Sequence, residues 1–205
     1  MEDKMVLTRE IVADQVLDPF SKAKDLEELN QCFLSLCFSF KMNEFFLGEV
    51  TGEKTEDLIL YCYTTYPKDW MSIYLEREYH KVDPILLNIE KLALPYSWNV
   101  DSFMTMDGDQ RNFYREAYDY GIRSGTTIPL EIEDKRRRYL TVLNPTMHQN
   151  WSLVMLFMIA GIQYFVHKDH YDKMESMCEN RNVRRTRKTR ELKNQEAIFC
   201  TIDRT

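Results

Sequence analysis

Tyr66-Pro67-Lys68-Asp69-Trp70-Met71-Ser72-Ile73-Tyr74, then Asp83-Pro84, Trp98 and Tyr120-Gly121-Ile122-Arg123-Ser124-Gly125-Thr126-Thr127-Ile128-Pro129, carry the reading of this chain. Tyr66, Trp70 and Tyr74 recur every four residues, so on a helix they form one stripe. The stripe offers two phenolic hydroxyls and an indole N–H on large apolar bodies, and a carboxylate follows at Asp83. Such a set suits a ligand that is mostly hydrocarbon but carries a compact amide-and-carbonyl head.

Working outward, Asp25 with Glu28 forms a capping pair, and Leu26, Leu29, Phe33, Leu36, Cys37 and Phe40 give one apolar helical face. Strand-like stretches near 44–51 and 57–65 read as a hairpin around Gly52. Helices are expected from Lys68 to about Arg77 and from Pro84 to about Lys91. Pro95 ends that region, and a short strand holds Trp98. A further helix spans 109–119, with Phe113, Ala117 and Tyr120 on one side and Gly121 as its stop. Residues 126–133 and 139–144 form a second strand pair, joined by the polar loop Asp134-Lys135-Arg136-Arg137-Arg138. A long helix from about Gln149 to Met177 follows. The order predicts an α/β fold, an α-β-α sandwich with a central antiparallel sheet of about five strands.

After Met177 the composition changes. Arg181 to Lys193 carries seven basic residues against one acid, Glu191, with almost nothing apolar. Thr189-Arg190-Glu191-Leu192 then looks like a capped helix start. The expected division is 1–177 for a ligand-binding and dimerisation domain and 178–205 for a basic linker with the opening of another domain.

At 205 residues the chain is long enough for one full domain, and 44% apolar with 13% aromatic content supports a substantial core. A net charge of −6 argues against uniform electrostatic binding to nucleic acid. Five cysteines without a CxxC pair read as free thiols in a reducing compartment. The apolar run Trp151–Val166 is shorter than the roughly 20 residues a bilayer requires, so it is read as a buried helix. Met1-Glu2-Asp3-Lys4 lacks the order of a signal peptide. A cytoplasmic location with no membrane contact is expected. His148, His167 and His170 with Asp169 lack metal-ligand spacing, and no Ser/His/Asp or Cys/His set can be assembled. Neither a metal, a cofactor nor an enzymatic activity is expected.

The aromatic and acidic series resembles the autoinducer-binding domain of LuxR-type quorum-sensing regulators. The resemblance covers roughly residues 20–175 and is carried by Tyr66, Trp70, Tyr74, Asp83-Pro84, Trp98, Phe113-Tyr114 with Ala117, and Tyr120 to Pro129. It implies an N-acyl homoserine lactone as ligand. Trp70 would donate to the lactone carbonyl, Asp83 would accept the amide N–H, and Tyr66 or Tyr74 would donate to the acyl carbonyl. Trp98 would pack on the ring, while Phe113, Ala117, Ile85 and Thr127 line the pocket. Asn144 would stand where the family often has a Ser or Thr beside the acyl chain.

The resemblance further implies a homodimer, with DNA as a partner where a helix-turn-helix domain is present. The chain departs from the family in two places. The 133–138 segment is longer and more basic than the usual turn, and the C-terminal helix-turn-helix stops about one helix after it begins. A truncated regulator of this kind has an alternative role as an inhibitory dimerisation partner of full-length relatives. Asp83 also fits an ordinary N-cap with Pro84 at the first helical position, and that role coexists with ligand binding. Trp70 and Tyr74 also suit a plain core, and Gly121 and Gly125 are read as backbone necessities.

Overall fold

A computed structural model describes residues 18–51, 59–88, 94–102, 108–133, 136–183 and 198–201. The chain divides into two compact units. One runs through Lys41 and resumes at Met155; the other spans Met42–Val154 and takes in the last strand.

The helical unit holds α1 (Asp18–Lys22), α2 (Leu26–Ser39) and most of α6 (Trp151–Val183). Asp25 is the N-cap of α2: its carboxylate accepts from Glu28 N at 2.9 Å, while Glu28 Oε2 accepts from Lys24 N. The side chain thereby satisfies a backbone donor that has no partner within the helix. Leu29, Phe33, Leu36 and Cys37 are buried, the face expected from their spacing. Helix α6 runs to Val183, beyond the expected end at Met177. Its segment Trp151–Met174 is long and apolar enough for a membrane span by composition. Val154, Leu156, Phe157, Ala160, Tyr164 and Phe165 on that segment are nonetheless buried inside the protein.

The other unit is built on a sheet of order β3-β4-β5-β1-β2-β6. Strands β1 (Phe45–Thr51), β2 (Ile59–Thr64), β3 (Tyr96–Asn99), β4 (Ser124–Glu133) and β5 (Arg136–Val142) pair antiparallel. The α/β class and the five-stranded antiparallel sheet are those expected. A sixth strand, β6 (Ile198–Thr201), adds in parallel to β2. The helix expected to open at Thr189 lies outside the described residues. Helices α3 (Lys68–Glu76), α4 (Pro84–Asn88) and α5 (Asp109–Asp119) complete the unit.

Helix α5 ends as its glycine predicts. Gly121 adopts φ +85°, Gly121 N donates to Tyr118 O, and Ile122 N donates to Ala117 O at 2.9 Å. That pair of bonds closes the helix with a left-handed residue and leaves Ile122 buried beside it.

The basic segment corrects the sequence reading. Arg136, Arg137 and Arg138 are not loop but the start of β5, and Glu133 pairs with Arg136 across a two-residue connection. Arg138 stands between Glu49 on β1 and Glu131 on β4, its register partners. It contacts their carboxylates at 2.5 and 2.9 Å and is almost fully buried. Opposite charges directly across a ladder favour this register, so a run that looks solvated in one dimension is paired in three.

Candidate functional site

Strand periodicity decides which side chains share a face, since alternate residues point to opposite sides. Phe46 pairs with Thr141, Gly48 with Tyr139, Thr127 with Thr141, and Trp98 with Gly125. These positions form one face of the sheet; Phe45, Leu47, Leu140, Val142 and Ile128 form the other. Gly125 is required by close approach: a Cβ there would meet Val142 O at 2.6 Å and the Trp98 ring at 2.8 Å.

Facing the sheet, α3 and the segment after it supply Trp70, Met71, Tyr74 and Asp83, and α5 supplies Phe113. Trp70 contacts Tyr74, Tyr79, Phe113 and Tyr120, with ring centroids 5.7 to 6.0 Å away. Between helices and sheet lies a cavity of about 50 Å³. It is lined by Phe46, Tyr66, Trp70, Met71, Tyr74, Asp83, Ile85, Trp98, Phe113, Ile122, Tyr139 and Thr141. Tyr79 OH donates to Glu116 at 2.9 Å, and Arg77 pairs with the same carboxylate, which ties the segment after α3 to α5.

Asp83 is buried and performs two tasks at once. Its Oδ1 accepts from Ile85 N at 2.8 Å, capping α4, and its Oδ2 accepts from Tyr74 OH at 3.0 Å. Burial raises its pKa from 3.8 to about 6, with the bonds from Ile85 N, Tyr74 OH and Leu86 N opposing the rise. An ionised carboxylate has about four lone-pair sites, so a further donor can still be received. Trp98 Nε1 donates to Thr127 Oγ1 at 3.0 Å, and Thr127 shares a hydrogen bond with Thr141 at 2.9 Å.

Three donors on the wall lack an acceptor among the described residues: the Trp70 indole N–H, the Tyr66 hydroxyl and the Tyr139 hydroxyl. Burial pushes both phenols far above their usual pKa, so they remain protonated donors. Buried polar groups normally find partners, and these three face a common space.

Of the ten candidate residues, the structure brings seven to the cavity: Tyr66, Trp70, Tyr74, Asp83, Ile85, Trp98 and Phe113. Ala117 packs in the same aromatic cluster behind Phe113, and Thr127 stands behind Trp98 as its acceptor. Asn144 is not at the cavity. It lies past the end of β5, where its Oδ1 accepts from Thr146 N and Oγ1 and closes a turn. The Ser/Thr-type hydroxyl on the cavity wall belongs to Thr141 instead. The sequence assigns no pocket role to Phe46, Met71, Ile122, Tyr139 or Thr141; alternation along β1 and β5 is the available signal for the three strand residues. No group of three His, Cys, Asp or Glu side chains suited to a metal occurs among the described residues.

Residues 25–168 match the family described as the autoinducer binding domain. The transcriptional activator RaiR of Rhizobium etli is 26% identical over 107 residues, which cover 52% of this chain and 43% of that protein. The chain thus matches less than half the length of that relative. Two solved structures share the fold. One is the N-acylhomoserine lactone dependent LuxR family transcription factor CepR2 of Burkholderia cenocepacia, with TM-score 0.59, 16% identity, and 78% of this chain and 92% of that chain covered. The other is SdiA, a protein of Escherichia coli, in complex with octanoyl-rac-glycerol, with TM-score 0.66, 16% identity, and coverage of 82% and 69%.

Proposed function

Because the chain belongs to the autoinducer-binding domain family of LuxR-type quorum-sensing regulators, we propose that its cavity receives an N-acyl homoserine lactone. The observation that carries this reading is the set of donors left without acceptors around a buried carboxylate. Trp70 would donate to the lactone carbonyl and Asp83 would accept the amide N–H. Tyr74 already donates to Asp83, so of that pair Tyr66 is the phenol left to donate to the acyl carbonyl. Trp98, held by Thr127, would pack against the ring.

A cavity of about 50 Å³ holds only a few waters. The ligand would therefore part the aromatic wall as it enters, and occupancy would stabilise the folded form by mass action. In a cytoplasmic regulator that gain would be read out through dimerisation, and through DNA only where a helix-turn-helix domain is attached.

Calorimetric titration with hydroxybutanoyl homoserine lactone tests the assignment. Asp83→Asn should weaken binding by roughly 2 kcal/mol, about thirtyfold, because the amide presents N–H₂ where the ligand needs an acceptor. Unchanged affinity would remove Asp83 as the acceptor. The SdiA complex favours a second reading, an acylated glycerol. That ligand has no amide N–H, and its glycerol hydroxyls can donate to a carboxylate or accept from an amide, so its loss on Asp83→Asn should be smaller than the lactone's.

Trp151, Met155, Ile162 and Val166 leave an exposed apolar stripe on α6. It suits a second copy, or a full-length regulator that the chain would inhibit. Undiminished operator binding by such a regulator after mixing would dismiss the inhibitory role.

A further inference from the structure

The donors for a polar head stand on the helix side of the cavity, and the sheet side is closed by two stacked rings. Phe46 and Tyr139 lie with centroids 5.7 Å apart and an interplanar angle of 18°. Gly48 makes room for both. It pairs with Tyr139 across the strands, and a Cβ there would come within 2.6 Å of Phe46 Cε1 and 2.9 Å of Tyr139 Cζ. Tyr139 is buried at 4% exposure and lines the cavity. Its hydroxyl, in the field of Asp83, Cys62, Tyr66 and Tyr96, donates to nothing among the described residues.

We infer, on the premise of the lactone reading, that Tyr139 determines the acyl group: it excludes a long aliphatic tail and selects a short one bearing an oxygen. Burying a methylene gains about 0.8 kcal/mol only where there is room for it. On the sheet side, room for a long tail would come from parting the Phe46–Tyr139 stack over Gly48. A phenol left without an acceptor carries a desolvation cost that an oxygenated acyl group removes and a plain one does not. Sites built around a hydrogen-bonding group discriminate against ligands that lack its counterpart.

The test is calorimetric titration of the chain and its Tyr139→Ala and Tyr139→Phe variants with butanoyl, hydroxybutanoyl and dodecanoyl homoserine lactones. The chain should prefer the hydroxybutanoyl over the dodecanoyl compound by about tenfold or more. Tyr139→Ala should reverse the order of lengths. Tyr139→Phe, which keeps the ring, should keep that order and lose the several-fold preference for hydroxybutanoyl over butanoyl. If the alanine variant does not fold, the phenylalanine variant decides. Equal or tighter binding of the dodecanoyl compound by the unaltered chain, or preferences that survive both changes, would overturn the role of Tyr139 and leave the lactone reading standing. Absence of binding by every lactone, to the chain and both variants alike, would overturn the two together.

Discussion

In the helical unit Tyr164 donates its hydroxyl to Asn30 Oδ1 at 2.5 Å, and Tyr171 donates to Ala23 O at 2.6 Å. In the sheet-bearing unit Tyr66 and Tyr139 are buried too, yet their hydroxyls meet no acceptor among the described residues. Both interiors are rich in aromatic rings. Phe33 meets Tyr164 edge-on at 5.7 Å, much as Trp70 meets Tyr74 at 6.0 Å. Composition therefore does not separate a core from a pocket. The satisfaction of polar atoms does: a core pairs its donors internally, and a receptor holds some back for a guest.

The largest expected effect that tests this contrast is the titration of Asp83. Its folded-state pKa, about 6, exceeds the ordinary 3.8, so the folded form binds its proton more tightly than the unfolded chain does. Stability should be highest below the unfolded value and fall as pH rises through about 6. The full penalty, about 3 kcal/mol, should stand above that. Asp83→Asn should flatten this slope in urea titrations at a series of pH values. An unchanged slope in the variant would mean that another group titrates. Ligand affinity should move the opposite way, tightening as pH rises through the same window, because the ionised form is the better acceptor of an amide N–H.

A smaller effect is expected in the helical unit. Tyr164→Phe leaves Asn30 Oδ1 without its phenolic donor and should cost about 2 kcal/mol by chemical denaturation. Smallest is the matching change in the other unit. Tyr66→Phe removes a hydroxyl that no described residue accepts, and stability without ligand should move by less than about 0.5 kcal/mol. Equal losses in the two variants would break the comparison. In lactone titrations Tyr66→Phe should still cost roughly tenfold, the size of one neutral hydrogen bond.

Much of the site could be read from spacing because helices and caps are local. Asp25 with Glu28, Asp83 with Pro84, and Gly121 after α5 each act within a few residues, and each stands where its chemistry required. Tyr66, Trp70 and Tyr74 likewise came to one cavity, although Tyr66 precedes α3 and only Trp70 and Tyr74 lie on it. Strand residues were less legible. Reading Arg136–Arg138 as a loop moved the expected wall residue to Asn144. The ion pairs of Arg138 with Glu49 and Glu131 hold those arginines in β5 and place Thr141 at the cavity. Glu49 is distant in sequence, and no local window contains that pairing. Nor did any local signal announce that Ile198–Thr201 would lie parallel to β2.

The sequence alone determined the donors, the acid and the helical periodicity that gathers them, because those depend on chemistry and spacing along a few turns. Tertiary structure decided which donors stay unsatisfied, how far the cavity extends and which rings close it. Those properties arise from cross-strand register and close packing between distant segments, where a missing Cβ at Gly48 or Gly125 fixes the place of a whole ring.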